Sequence, residues 1–167
     1  MAVDMFLKLE GIDGESHDHA HKKNIDILAW SWGASQGGTT HMGGGAGAGK
    51  ATVNDISVTK YVDSASCALL QHVTTGKHIP KGRIIVRKAG DSPLEYINIS
   101  MEDIIITSYQ TGGSGGEDRL TENISLNFAK FGMYYTPQKA DGSGDPDKEV
   151  AYDIQANDKD AKVPKQK

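Results

Sequence analysis

Between Leu120 and Tyr135 apolar and polar residues alternate. Ile124, Leu126 and Phe128 fall on one side of an extended chain, and Asn123, Ser125 and Asn127 on the other. A period of two with one polar side predicts a half-buried β-strand. The polar side holds Asn and Ser, not Lys and Glu, which suggests a wet interface or an enclosed lumen over a freely solvated surface. Similar patterns predict strands over Val3–Leu9, Ile25–Trp32, Ala51–Thr59, Arg83–Lys88, Leu94–Met101, Ile104–Tyr109 and Glu149–Ile154. In Ile25–Trp32 the alternation sets Asp26, Leu28, Trp30 and Trp32 on one face, with Ile25, Ile27, Ala29 and Ser31 on the other. Two indoles on one face read as core, which turns Ala29 and Ser31 outward. The aromatic phase shifts from Phe128 to Phe131, and Gly132 is expected to mark a bulge there.

One helix interrupts the strands. Asp63 and Ser64 offer N-cap oxygens, Ala65, Leu69 and Val73 repeat every four residues, and Cys67 with Leu70 widens that face. Gly76 is placed to close it. About eight short strands with one flanking α-helix predict a mainly β fold, a β-barrel or sandwich. The stretch Gly33–Lys50 is too long for a hairpin turn, and loops of that length are usually functional or disordered. Residues 1–155 read as one β-barrel domain. Residues 156–167, charged and without aromatics, are expected to be a disordered tail.

Composition narrows the class. The 167 residues suit a single domain, and the 20 glycines gather in loops. Eighteen basic against 22 acidic residues leave a net charge of −4, with no basic stripe for nucleic acid. No apolar run reaches the length of a membrane span, so no membrane insertion is expected. The N-terminus carries no secretory signal pattern, and the lone Cys67 fits synthesis in the cytoplasm.

Candidate chemistry is sparse. Gly44–Lys50 matches the start of a phosphate-binding loop, but Ala51 stands where the magnesium-binding hydroxyl belongs, and a strand pattern follows in place of a helix. His17, His19 and His21 alternate and could share a metal on an extended segment, although a solvated polar loop is the ordinary reading. Cys67 reads as a small hydrophobe of the helix core face. Glu117, Asp118 and Arg119 read as a turn or salt-bridge motif. No nucleophile elbow is present. A non-enzymatic protein is expected, with no catalytic residue, cofactor or metal.

Several long segments together resemble one family. They are MAVDMFLKLEGIDGES at the start, His21, IDILAWSWG at Ile25–Gly33 and MGGGAGAGK at Met42–Lys50. Further along come Ser57–Lys60 leading to Asp63, Gly76–His78, Arg87–Gly90 and TGGSGGEDRLTENISLNF at Thr111–Phe128. In this order they resemble the haemolysin co-regulated protein (Hcp) family, the tube protein of bacterial type VI secretion. Residues beyond about Ala140 lie outside the resemblance. It implies a β-barrel-like fold assembled into a homo-hexameric ring, and rings stacked into a tube. The tube is propelled from the cell with spike, sheath and effector proteins as partners, so the protein is cytoplasmic before firing and extracellular afterwards. Combined with the strand faces, it implies that Ser31, Ala29, Asn123, Ser125 and Asn127 face the ring lumen and its cargo. The loop carrying Gly43, Gly44, Gly45, Gly47, Gly49 and Lys50 is expected to order where rings stack.

Overall fold

The computed structural model describes residues 2–38, 41 and 49–167. Strands β1 (Val3–Leu9), β2 (Ile25–Asp26) and β3 (Ala29–Ser31) come first, then a small ribbon of β4 (Ala34–Ser35) and β5 (Thr52–Val53). After β6 (Ile56–Tyr61) and the helix α1 (Ser66–Thr75) follow β7 (Ile79–Lys88), β8 (Leu94–Thr111), β9 (Thr121–Tyr135) and β10 (Lys148–Asp153). The main sheet is antiparallel in the order β2-β1-β7-β8-β9-β6-β3, with β10 also on β9. The two ends of that order are consecutive in the chain. Ile27 N–H donates to the Met5 carbonyl and Leu28 N–H to that of Thr59, so this one segment bridges β1 to β6 and curls the sheet into a barrel. A mainly β, barrel-like fold with one helix is what the alternation predicts.

The bridge corrects one expectation. Ile25–Trp32 is two strands with different partners, and the side-chain phase changes between them. Ile25 and Ile27 are buried, Leu28 is 42% exposed, and Trp30 packs on the core from the other parity. Asp26 and Leu28 therefore do not share the indole face.

The predicted strands Leu94–Met101 and Ile104–Tyr109 are one strand with an inversion inside it. Ile99 and Met101 reach the core at odd positions, Ile104 and Ile106 at even ones. Asp103 between them has φ +55°, a left-handed conformation that Asp tolerates better than bulky residues. Across from it, between the pairs Glu102–Lys130 and Ile104–Phe128, lies Ala129, where β9 changes phase as well. The shift from Phe128 to Phe131 is thus real, but Gly132 is not its cause. The one register slip between these strands falls at Ile106/Ser108.

Gly132 serves a different packing need. A Cβ there would stand 2.8 Å from the Val163 carbonyl oxygen. Residues 156–167, expected to be a disordered tail, instead dock on the sheet. Val163 is buried and its carbonyl accepts from the Tyr134 hydroxyl. Gln166 receives hydrogen bonds from Arg83 and Asn98 at its carbonyl, and donates to Ser100 and to the Met101 carbonyl. Charge composition missed this because most of the binding groups on the tail are backbone atoms. The row Phe6–Ile85–Asn98–Tyr134 beneath is buried throughout, covered by the tail on one side and by the segment carrying His21 on the other.

The helix begins one or two residues later than its expected caps. Ala65 is the N-cap, Asp63 accepts from the Ala65 N–H at 2.9 Å, and Gly76 at φ +65° closes the helix. Ala65 and Leu69 are buried. Cys67 is exposed and Leu70 is 46% exposed, so the core stripe is narrower than predicted.

The helix start is joined to the sheet by a buried ionic network. Lys60 and Glu122, both fully buried, form an ion pair across β6 and β9. Lys60 also binds Asp63 at 2.9 Å, Ser66 donates to Glu122 at 2.7 Å, and the Tyr109 hydroxyl donates to Glu122. Burial pushes the Glu122 carboxyl up, but the hydrogen bonds from Lys60, Tyr109 and Ser66 outweigh it and leave the group below its ordinary pKa. Burial, then the bond to Glu122, pushes Tyr109 up to about 12.

Two outcomes follow for stability. Glu122→Gln leaves buried Lys60 with Asp63 as its one remaining counter-charge and should cost up to about 3–5 kcal/mol in urea unfolding. Because the folded Glu122 pKa lies below its ordinary 4.5, its stabilisation is complete above that value and fades as pH falls through the depressed folded pKa. The variant should therefore lose less on acidification than the parent, and an unchanged acid limb would contradict the network. Gly132→Val should lift the tail, costing about 1–3 kcal/mol and raising amide exchange in residues 160–166. Wild-type protection of those amides in the variant would show that the tail does not need the gap.

Candidate functional site

Pairing across β3, β6, β9 and β8 sets small uncharged side chains in rows. Ser31 stands opposite Ser57, Ser57 opposite Ser125, and Ser125 opposite Ser108. The next row runs Ala29, Thr59, Asn123, Gln110. Residues directly opposite in a sheet share a face, so the predicted residues Ala29, Ser31, Asn123, Ser125 and Asn127 do come together on one surface. They are exposed, apart from half-buried Ser125. The intervening row, Trp30–Val58–Ile124–Tyr109, packs on the core from the other side. Trp30 and Trp32 are half-buried, and Trp32 stands edge-on to Phe131 with its Nε1–H on the Asn54 carbonyl.

The surface is laced internally. Thr59 donates to Asn123 at 2.6 Å and Ser108 to Ser125 at 2.8 Å. Asp55 at its margin is tied by Thr107 and Asn127 at 2.7 and 2.8 Å. Asp55 is the one ionised group beside the serine and Ala29 rows, so the face is mostly neutral hydrogen-bonding surface with a single negative charge at its margin. At one end it opens into a groove of about 330 Å³ lined by Gln110, Ser114, Glu117, Thr121 and Asn123. Nothing in these groups pairs a nucleophile with a base.

Other candidates lie apart from this face. Gly43, Gly44, Gly45 and Gly47 of the proposed stacking loop fall outside the described residues, and Gly49 and Lys50 are exposed just before β5. A strand after Lys50, not a helix, removes the structural context of a phosphate-binding loop. His17 and His19 are exposed while His21 is buried, so the three do not converge. His21 Nε2 lies 2.6 Å from Glu95 and its ring stacks on Phe6. Nearby, Arg87 bonds Asp18 and Asp4, and its hydrogen bond holds the Asp18 carboxyl down at about 2. Among the described residues no group of three His, Cys, Asp or Glu side chains is placed to hold a metal ion. Arg119 stacks over Tyr61 at 3.8 Å, away from Glu117 and Asp118 as an ion pair.

The sequence reading missed Lys60, Glu122 and Arg87. A signal existed for the first two: each falls in phase with the apolar residues of its strand, Lys60 with Ile56 and Val58, Glu122 with Ile124 and Leu126. Two opposite charges on apolar phases of two strands are what a buried pair looks like in sequence.

Comparison with known proteins accounts for this arrangement. A model of the family described as Type VI secretion system effector, Hcp, matches residues 6–135. The chain is 53% identical over 146 residues to protein hcp1 of Pseudomonas aeruginosa, spanning 87% of this chain and 90% of that protein. A solved structure described as a type six secretion system protein superposes with a TM-score of 0.89 at 29% identity, covering 94% of this chain and 99% of its own. Hcp1 from Salmonella typhimurium gives 0.77 at 37% identity, with 94% and 98% covered. The curled sheet with its one helix, matched over nearly its whole length in sequence and in space, belongs to the Hcp family of type VI secretion proteins.

Proposed function

We propose that this chain is a structural tube subunit. Six copies close into a ring, rings stack into a tube, and the tube is driven out of the cell with a spike at its tip. The observation that carries the reading is the bare face of Ser31, Ser57, Ser125 and Ser108 with Ala29, Thr59, Asn123 and Gln110. The outer surface on the other flank of the barrel is covered by the tail and the His21 segment, yet this stretch is left open. A ring lumen gives such a surface its use: small neutral groups admit varied cargo and reject neither sign of charge. Effectors ride against it, and the spike and sheath are the other partners. Exposed Val62, Leu70 and Leu120 supply apolar surface for joining neighbours side by side. Head-to-tail contacts of that kind close into rings. The Gly43–Lys50 loop meets the next ring. The subunit is made in the cytoplasm, has no catalytic or cofactor role, and leaves through the apparatus itself.

Light scattering on the purified chain should give the mass of a six-membered ring at micromolar concentration, and so should a Gly43–Gly49 deletion. Only the full chain should lengthen into tubes. A monomer or two-fold dimer would overturn the ring, and tubes from the deletion would overturn the stacking loop.

Ser31→Gln adds bulk to the open face without touching the core. Ring mass and melting temperature should stay at wild-type values while co-purification of an effector drops. Loss of the fold without a selective cargo defect would mean that Ser31 faces inward. Trp30→Ala is the paired control: the indole is half-buried against the core, so its loss should destabilise the fold by less than that of a fully buried Trp, about 3–5 kcal/mol.

A further inference from the structure

On the covered face of the sheet, where the end of β1 meets the first half of β7, cations gather that form no ion pair among the described residues. Lys8 stands directly opposite Arg83, a register in which like charges repel. Arg83 is only 7% exposed. Its Nη1 donates to the Gln166 carbonyl at 2.7 Å, but its Nε is buried with no hydrogen-bond partner. The contrast with Arg87, further along the same face of β7, is instructive. The Arg87 Nε is likewise without a partner, but that guanidinium holds both Asp4 and Asp18, whereas Arg83 makes no ion pair among the described residues. Burial draws the Arg83 pKa down, against the pull of Glu95.

A cleft of about 340 Å³ opens beside these groups, lined by Lys8, Glu10, Lys81, Arg83, Gln166 and Lys167. Four of these residues are cationic against the acidic Glu10, with Glu102 opposite Lys81, in a chain whose net charge is −4. A buried donor left unsatisfied and a buried charge left unpaired each cost free energy. An anion with acceptors pointing in several directions removes both costs and screens Lys8 from Arg83. A carboxylate carries one negative charge and two oxygens in a plane. A tetrahedral dianion matches the excess of cations better and presents oxygens to more than one strand at once.

We propose that this cleft binds a phosphate dianion, with Lys8, Lys81, Lys167 and the buried Arg83 as its donors. The site is independent of the open serine face and of ring formation.

Thermal unfolding and isothermal titration of the full chain test it with inorganic phosphate, at a pH where the dianion prevails. Sodium chloride and sodium acetate at matched ionic strength are the controls. Phosphate should raise the melting temperature beyond both, saturably, as a ligand of the folded state does. The Lys8→Gln/Lys81→Gln double variant should bind about tenfold more weakly, having lost two charge-assisted donors. In phosphate-free buffer Lys8→Gln alone should melt no lower than the parent, because it removes a repulsion. Acetate acting as well as phosphate, or wild-type phosphate affinity in the double variant, would overturn the assignment. So would a lower melting point for Lys8→Gln without ligand, since Lys8 would then be balanced by something other than an absent anion.

Discussion

The pairing of Lys60 with Glu122 is the constraint around which the barrel is organised. Both side chains are fully buried: Glu122 has Lys60 as its counter-charge, and Lys60 has Glu122 and Asp63. The pair holds β6 against β9, takes Asp63 and Ser66 from the start of α1, and takes the Tyr109 hydroxyl from β8. Four elements meet at one carboxylate and one ammonium. A shift of register in β6 or β9 by one residue would send one charge to the open face and strand the other in the core. Hydrophobic burial stabilises many arrangements of these strands. The ion pair selects among them, because its geometry is directional where apolar contact is not.

That selection determines which face of the sheet is left open. Val58 and Ile124 share a phase with Lys60 and Glu122, so the serine row must emerge on the other side. On the opposite flank of the barrel, by contrast, the outer face is buried under two covers. His21 stacks on Phe6, and Val163 and Gln166 lie over Tyr134, Ser100 and Asn98. One stretch of outer surface is thus closed by the chain itself and another is left open. This asymmetry gives the chain an exposed polar wall and a separate sealed flank.

Two breaks in the alternation make the curl possible. Between Ile27 and Leu28 one segment passes from β1 to β6, and at Asp103 with Ala129 the two longest strands turn their faces over together. Because both strands invert at the same level, their register survives and apolar residues continue to reach the core on each side. A single unmatched inversion would have set Met101 or Phe131 in water. Strong local twist of this kind is what a sheet needs to close on itself.

Local alternation and glycine placement were enough to read the mainly β fold, the single helix with its Gly76 cap, and the outward turn of Ala29, Ser31, Asn123, Ser125 and Asn127. Each is a property of a few neighbouring residues, set by backbone geometry with a period of two or of 3.6. Where the reading failed, the deciding partner was distant in the chain. The inversion at Asp103 answers to Ala129, Gly132 is small because Val163 passes above it, and Cys67 faces out because the core meets α1 through Ala65, Leu69 and, in part, Ala68 and Val73. The tail looked free because it is charged and has no aromatics, while what docks is the Val163 side chain, the Gln166 side-chain amide and the backbone at both residues. Periodicity identifies which side of an element is apolar. Only the folded chain decides what lies against that side, since pairing and burial are set by contacts that no local window of sequence contains.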